Sequence, residues 1–275
     1  MTPALGRLIS GRGVIVRLMT GFGGVDGIVW RADTGLTFTD PPRGQVVRWK
    51  SADTGPELIR TGAGGAAGLA FDADGRLLAA ERGARRVSRT DQSGTTTLLD
   101  QVDGAPLGGP SDLAFGPDGS LYIVDATSTG GRIVRLAPGG EAKVVVADLK
   151  QPSGVAVAPS GASLYVSDAG RAELRVYPID HGQVGAGRRL AAITPWKPGV
   201  HGLPDGLRTD RDGHLFLAGP GGIWVLDENG GRLGVMAMPE TPSACTFGDA
   251  DGRTLYIAAE TSVYTVRLKI AGGRH

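Results

Sequence analysis

Two aspartates stand where a carboxylate can do chemistry. Asp205 lies in Leu203-Pro204-Asp205-Gly206, at the mouth of the apolar segment Leu207 to Thr209. Pro204 has a fixed φ and no amide donor, and Gly206 lets the chain turn closely, so the acid between them is held in one direction. Asp26 opens a matching segment, Asp26-Gly27-Ile28-Val29-Trp30. Two carboxylates at one such mouth can share a proton, one serving as acid and the other as base. They can also hold a cation that polarises a carbonyl. Taken alone, Asp-Gly is a common turn signal, and Asp205 would then only cap a bend. Its claim to more rests on the recurrence of the same turn-into-strand position along the chain.

The elements that would position these acids repeat. Six segments begin at a small or polar residue and run into an apolar strand, starting at Gly27, Gly68, Asp112, Gly154, Gly206 and Cys245, with spacings of 41, 44, 42, 52 and 39 residues. Most run into a turn such as Asp72-Ala73-Asp74-Gly75 or Gly116-Pro117-Asp118-Gly119, which suits a tight hairpin. A second and a third apolar strand follow each time, and a weaker fourth closes several units. Four short strands every ~40–45 residues mark a blade. The chain is therefore expected to be all-β, a six-bladed β-propeller over residues 1–275 with four antiparallel strands per blade. No stretch shows sustained helical periodicity. The last unit lacks a fourth strand, and Gly13 to Met19 is an unassigned strand. Pairing it with Val263 to Leu268 would close the ring and remove a free edge. The long spacing before Asp205 leaves Gly185 to Gly202 as an extended loop beside it.

In such a ring the residues just before each inner strand converge on one rim of a central channel: Asp26, Ala67, Ser111, Ser153, Asp205 and Ala244. A second ring, just after each second strand, reads Asp40, Glu81, Asp125, Asp168, Gly219 and Glu260. Acids at strand ends also accept loop amides within a blade, and Asp40, Asp125 and Asp168 are read mainly that way. Composition narrows the rest. A net charge of +1 and 21% charged residues argue against disorder and against a nucleic-acid surface. The single cysteine, Cys245, excludes an internal disulfide and suits a reducing, cytoplasmic setting. Residues Met1 to Ser10 do not read as a signal peptide, and no run of about 18 apolar residues could span a membrane. His181, His201, His214 and His275 form no ligand pair by spacing. His201, four residues before Asp205, could reach the pocket mouth.

The chain resembles the SMP-30/gluconolactonase/LRE-like family of six-bladed propellers over nearly its whole length. Gly75-Arg76-Leu77-Leu78-Ala79-Ala80-Glu81-Arg82-Gly83-Ala84-Arg85-Arg86-Val87 carries that resemblance, as do Leu203-Pro204-Asp205-Gly206, Gly219-Pro220-Gly221-Gly222-Ile223-Trp224-Val225 and Gly252-Arg253-Thr254-Leu255-Tyr256-Ile257. The resemblance implies hydrolysis of lactones or related esters with one divalent cation, usually calcium or zinc. It also implies a set of roles. The Glu of the family's E-G-P-V-W motif is a metal ligand, and here it is Asp26, with Trp30 closing the motif. The carboxylate of Pro-Asp-Gly, ligand and proposed base, is kept as Asp205. The amide ligand of P-N-G is replaced by Ser153, the Asn of P-N-D by Ser111, and the His of E-H-G by Arg82. The carboxylates survive and the amide oxygens do not.

Three functions follow as expectations. The first is a lactonase acting on a small cyclic ester in the channel. Asp26, Ser153 and Asp205 would hold the cation, Asp205 and Asp26 would carry the catalysis, and Ser111, Ser153, Glu81, Arg82, His201 and Trp30 would bind substrate. Calcium wants six to eight oxygens, and zinc prefers His or Cys, so a cation would be weakly held or absent. The second is metal-free carboxylate catalysis of a cyclisation, condensation or isomerisation, as strictosidine-synthase-like propellers of similar scaffold perform. The third is a ligand-binding propeller without catalysis. In each, the partner is a small molecule, with neither nucleic acid nor membrane, on a monomer or small homo-oligomer.

Overall fold

The computed structural model describes residues 2–11, 13–127 and 129–273; His275 lies outside them. Six small antiparallel sheets form a ring, a six-bladed β-propeller. The inner strands are Asp26–Arg31, Ala66–Phe71, Pro110–Phe115, Pro152–Val157, Leu207–Thr209 and Pro242–Gly248, in blades 1 to 6. Each blade then steps outward through strands joined in chain order. The Asp-Gly turns fall where expected: Asp72 accepts the amides of Asp74 and Arg76 across its hairpin, and Asp118 that of Ser120.

The core lies between blades rather than at the centre. Among the described residues there are six apolar clusters, one for each pair of neighbouring blades. Each blade thus buries both faces, and only the inner and outer edges and the loops meet water. A sheet buried this way reads as near-continuous apolar runs, as in Leu215–Gly219 and Gly222–Leu226, where every residue is buried.

Blade 6 takes its outer strand from the N-terminus. Val16–Thr20 pairs antiparallel with Ser262–Arg267, Val16 opposite Thr265 and Thr20 opposite Ser262. The paired stretch starts three residues later than the sequence suggested, because Gly11 and Gly13 have positive φ and turn the chain first. Ahead of it sits a short helix, Pro3–Leu8, which sequence periodicity did not announce. Six residues are too few for a periodic signal, and it is held by tertiary contact. Leu5 and Ile9 are almost completely buried against blades 5 and 6. The stretch expected as one long loop before Asp205 contains a strand: Arg188–Ala192 forms the outer strand of blade 4, paired with 173–176. Its Arg-Arg-Leu-Ala-Ala sequence is too polar to stand out as a strand. Among the described residues no helix is long and apolar enough to cross a membrane.

Candidate functional site

Neighbouring inner strands crowd together at one rim, and glycine makes that possible. Gly27 has φ +37, and a Cβ there would lie 1.6 Å from the carbonyl oxygen of Ala67. A Cβ at Gly154 would lie 2.5 Å from the carbonyl oxygen of Asp205. The residue before each of these glycines is left at the channel mouth, which is how Asp26, Ser153 and Asp205 come to share it.

The Asp205 turn is pinned from three blades by five hydrogen bonds. The Asp205 amide donates to Ala218 O (2.9 Å), the Gly206 amide to Ser243 O (2.9 Å), and the Ala218 amide to Gly206 O (2.9 Å). Ser153 Oγ donates to Pro204 O (2.8 Å) and Ser167 Oγ to Asp205 O (2.7 Å). Every one of these bonds goes to backbone, so the carboxylate itself stays free for other work. Asp26 accepts its own neighbour's amide, Gly27 N, at 2.9 Å, and neither acid is ion-paired to a described residue. Both are half-buried. Burial pushes Asp26 up to about 6, with a further push from Asp112 and opposing pulls from Gly27 N, Arg82 and Ser243. Burial also raises Asp205 well above the usual carboxylate range, and the charges of Asp26 and Asp112 add to it. Asp205 therefore feels the field of Asp26.

Asp112 is a third carboxylate that sequence reasoning passed over. It was taken as the first residue of a strand, yet it occupies the place that glycine fills in blades 1, 2, 4 and 5, so its side chain is forced toward the channel axis. It accepts Leu113 N (2.8 Å) and, from blade 4, Val155 N (3.0 Å). Arg208 Nη1 of blade 5 lies 3.7 Å away. The signal was available: the alignment of Asp112 with four glycines. Burial raises its pKa, and Arg208 and the two amides pull against that rise.

The other expected site residues divide. Arg82 is exposed near the mouth, close enough to lower both Asp26 and Asp205. Ser111 is 6% exposed, and its Oγ is buried without a hydrogen-bond partner among the described residues. The His201 ring is exposed. Glu81 is fully buried and its carboxylate is occupied, ion-paired to Arg60 and Arg86 and hydrogen-bonded by Ser88. Trp30 is at the wrong end for contact with anything at the mouth. It stands four residues along the strand from Asp26, roughly 13 Å at strand rise, and lines the far half of the channel. The second ring of acids works within blades. Asp40 accepts Gly23 N and Gly24 N, Asp125 accepts Gly108 N and Gly109 N, Asp168 accepts Lys150 N and Gln151 N, and Glu260 accepts Thr241 N.

Among the described residues no three or more His, Cys, Asp or Glu side chains are gathered to hold a metal. The donors at the mouth are all oxygens, two of them carboxylates with no counter-ion, which is the chemistry of a hard cation rather than of zinc. Ser153 Oγ gives its proton to Pro204 O (2.8 Å) and keeps its lone pairs, so it is a neutral third oxygen beside the two carboxylates.

Residues 25–261 match the SMP-30/Gluconolactonase/LRE-like region. The chain belongs to that family. A curated gluconolactonase of Zymomonas mobilis is 29% identical over 90% of this chain and 79% of its own length. The pentonolactonase of Haloferax volcanii is 27% identical over 84% of this chain and 80% of its own. The solved gluconolactonase of Xanthomonas campestris superposes with a TM-score of 0.88 at 26% identity, covering 98% of this chain and 93% of the other. Of the positions that the resemblance singles out, 26 and 205 carry carboxylates and 111 and 153 carry hydroxyls.

Proposed function

We propose that the protein hydrolyses a small lactone at the Asp26–Asp205 rim, with Asp205 as general base. The observation that carries this is a pair of half-buried carboxylates without ion-pair partners among the described residues, held on a backbone braced from three blades, in a chain several of whose relatives are named for lactone hydrolysis. Water adds across the ring ester. Asp205 takes one proton of the water as its oxygen forms a bond to the acyl carbon. The ring C–O bond then breaks, and the leaving oxygen takes a proton back from Asp205, giving a hydroxy acid. Asp26 holds negative charge beside the reacting centre, and its field raises the basicity of Asp205. Arg82, exposed near the mouth, is placed to bind substrate oxygens. A divalent cation, when bound, would be held by Asp26 and Asp205 with Ser153, and would supply polarisation of the ester carbonyl.

One feature favours a second reading, metal-free carboxylate catalysis. Arg82 already lowers both acids, so a positive charge stands beside them without a metal. The two readings part in one experiment, a lactone panel assayed with and without EDTA. Asp205→Asn keeps the shape and removes the base, so kcat on the best substrate should fall by ~10² or more while the fold is kept. Asp168→Asn should leave kcat nearly unchanged. Near-parental turnover by Asp205→Asn would put the chemistry elsewhere. Activity that survives EDTA but not Asp205→Asn would select the metal-free reading.

A further inference from the structure

The far half of the central channel is a cavity of about 190 Å³, and all six inner strands contribute to its wall. It belongs to neither the rim acids nor any step of hydrolysis. The Asp112–Arg208 pair lies across the channel from blade 3 to blade 5, and Arg208 also lines the cavity. Two features of the lining depart from an ordinary propeller filling. First, Trp30, Phe71, Phe115 and Phe247 all line it, each only partly buried, although aromatics make up just 5% of the chain. They come from blades 1, 2, 3 and 6, so the flat side chains surround the space rather than stack on one wall. Second, the guanidinium of Arg208 is only partly committed. Nη1 donates to Leu207 O (2.7 Å) and sits beside Asp112, while Nε and Nη2 make no hydrogen bond to the described residues. Its side chain is 19% exposed.

We propose that this end of the channel is a second binding site, for a small aromatic carboxylate. An apolar cavity of about 150 Å³ accepts benzene, so this one has room for a ring and a carboxylate. The ring takes the aromatic wall by edge and face contacts. The carboxylate meets the open side of Arg208, whose planar fork suits paired hydrogen bonds to two oxygens. Thr246, also in the lining, adds a hydroxyl. The main chain of 271–273 crosses this mouth, with Gly273 N donating to Thr209 O (3.0 Å) and Gly273 itself in the lining, so it covers part of the opening. A ligand here reaches Asp112 through Arg208, and Asp112 in turn acts on both rim acids.

The test is calorimetric titration of the full chain with benzoate, alongside benzyl alcohol and gluconate. Benzoate should bind saturably. Benzyl alcohol, which lacks the anion, and gluconate, which lacks the ring, should each bind at least ~10-fold more weakly. Arg208→Gln should weaken benzoate by a similar factor. Because that change also strips Asp112 of its partner, a second variant is needed. Ala114→Phe fills the cavity from a partly exposed position away from the rim, and should abolish benzoate binding with an unchanged melting temperature. No saturable benzoate binding by the parent at millimolar concentrations overturns the proposal. So does benzoate binding that Ala114→Phe leaves intact, or equal affinity for benzyl alcohol.

Discussion

Ser153 shows how one substitution can serve position rather than chemistry. The P-N-G resemblance implies an amide oxygen there. Here a hydroxyl donates to Pro204 O and contacts Ser167 Oγ, which in turn donates to Asp205 O. The shorter side chain therefore braces the turn that aims Asp205. Ser153→Ala should cost about 1 kcal/mol, the usual worth of one such hydrogen bond, and should lower kcat by loosening that aim. Ser153→Asn should instead tighten calcium binding, read by calorimetry, because it returns a carbonyl oxygen to the mouth. Nanomolar calcium binding by the parent would defeat the argument that the lost amides weaken the site. Asp26, Asp205 and Ser111 were legible from sequence as residues of one rim because each stands at the start of an inner strand, whereas Arg82, just past a second strand, came only from the resemblance. Asp112 was not legible, since it stands one residue later, where a family reading expects no chemistry. Trp30 was misplaced for a plain reason: a motif contiguous in sequence is stretched by an extended strand, and its ends face opposite ends of the channel.

In every blade but blade 5, an acid at the end of the second strand helps to hold the elements in place. Asp168 is the clearest case. Burial alone would raise its pKa, but the amides of Lys150 and Gln151 and the Arg171 guanidinium outweigh that and hold it below its ordinary value of 3.8. A group depressed in the folded state stabilises above its unfolded pKa, and that stability is lost as pH falls through the folded value. Glu81 is lowered likewise: burial opposes, but Ser88, Arg86 and Arg60 prevail. The protein should therefore lose stability as pH drops below about 4. Asp168→Asn should cost roughly 2 kcal/mol at neutral pH and flatten this acid dependence, measured by urea unfolding between about pH 5 and pH 2. An unchanged slope would show that Asp168 is not one of the acid-labile fastenings. Blade boundaries were readable because Asp-Gly turns recur between apolar runs. The outer strand of blade 4 was hidden, since outer strands face water and need carry little apolar sequence.

For the whole molecule the ring is closed by pairing the two ends of the chain, so the weakest point is the joint. Blade 6 has three strands from 242–267 and takes the fourth, Val16–Thr20, from the N-terminus. The helix ahead of that strand is a second fastening, as Leu5 and Ile9 are 1% and 3% exposed within the cluster shared by blades 5 and 6. Each such side chain contributes about 2 kcal/mol by burial. Removing residues 1–20 would withdraw both side chains and the Val16–Thr20 ladder, a loss of several kcal/mol. It would also leave Ser262–Arg267 as a free edge, open to pairing with another copy. The truncated chain should melt about 10 °C or more below the parent and show concentration-dependent association by light scattering. Leu5→Ala in the full chain separates the two fastenings. It should cost about 2–4 kcal/mol through the cavity it leaves, but it should not associate, because the edge stays covered. A truncated chain that melts with the parent and stays monodisperse would mean that the ring is held by its six inter-blade cores alone, and that the end-to-end pairing adds nothing to them.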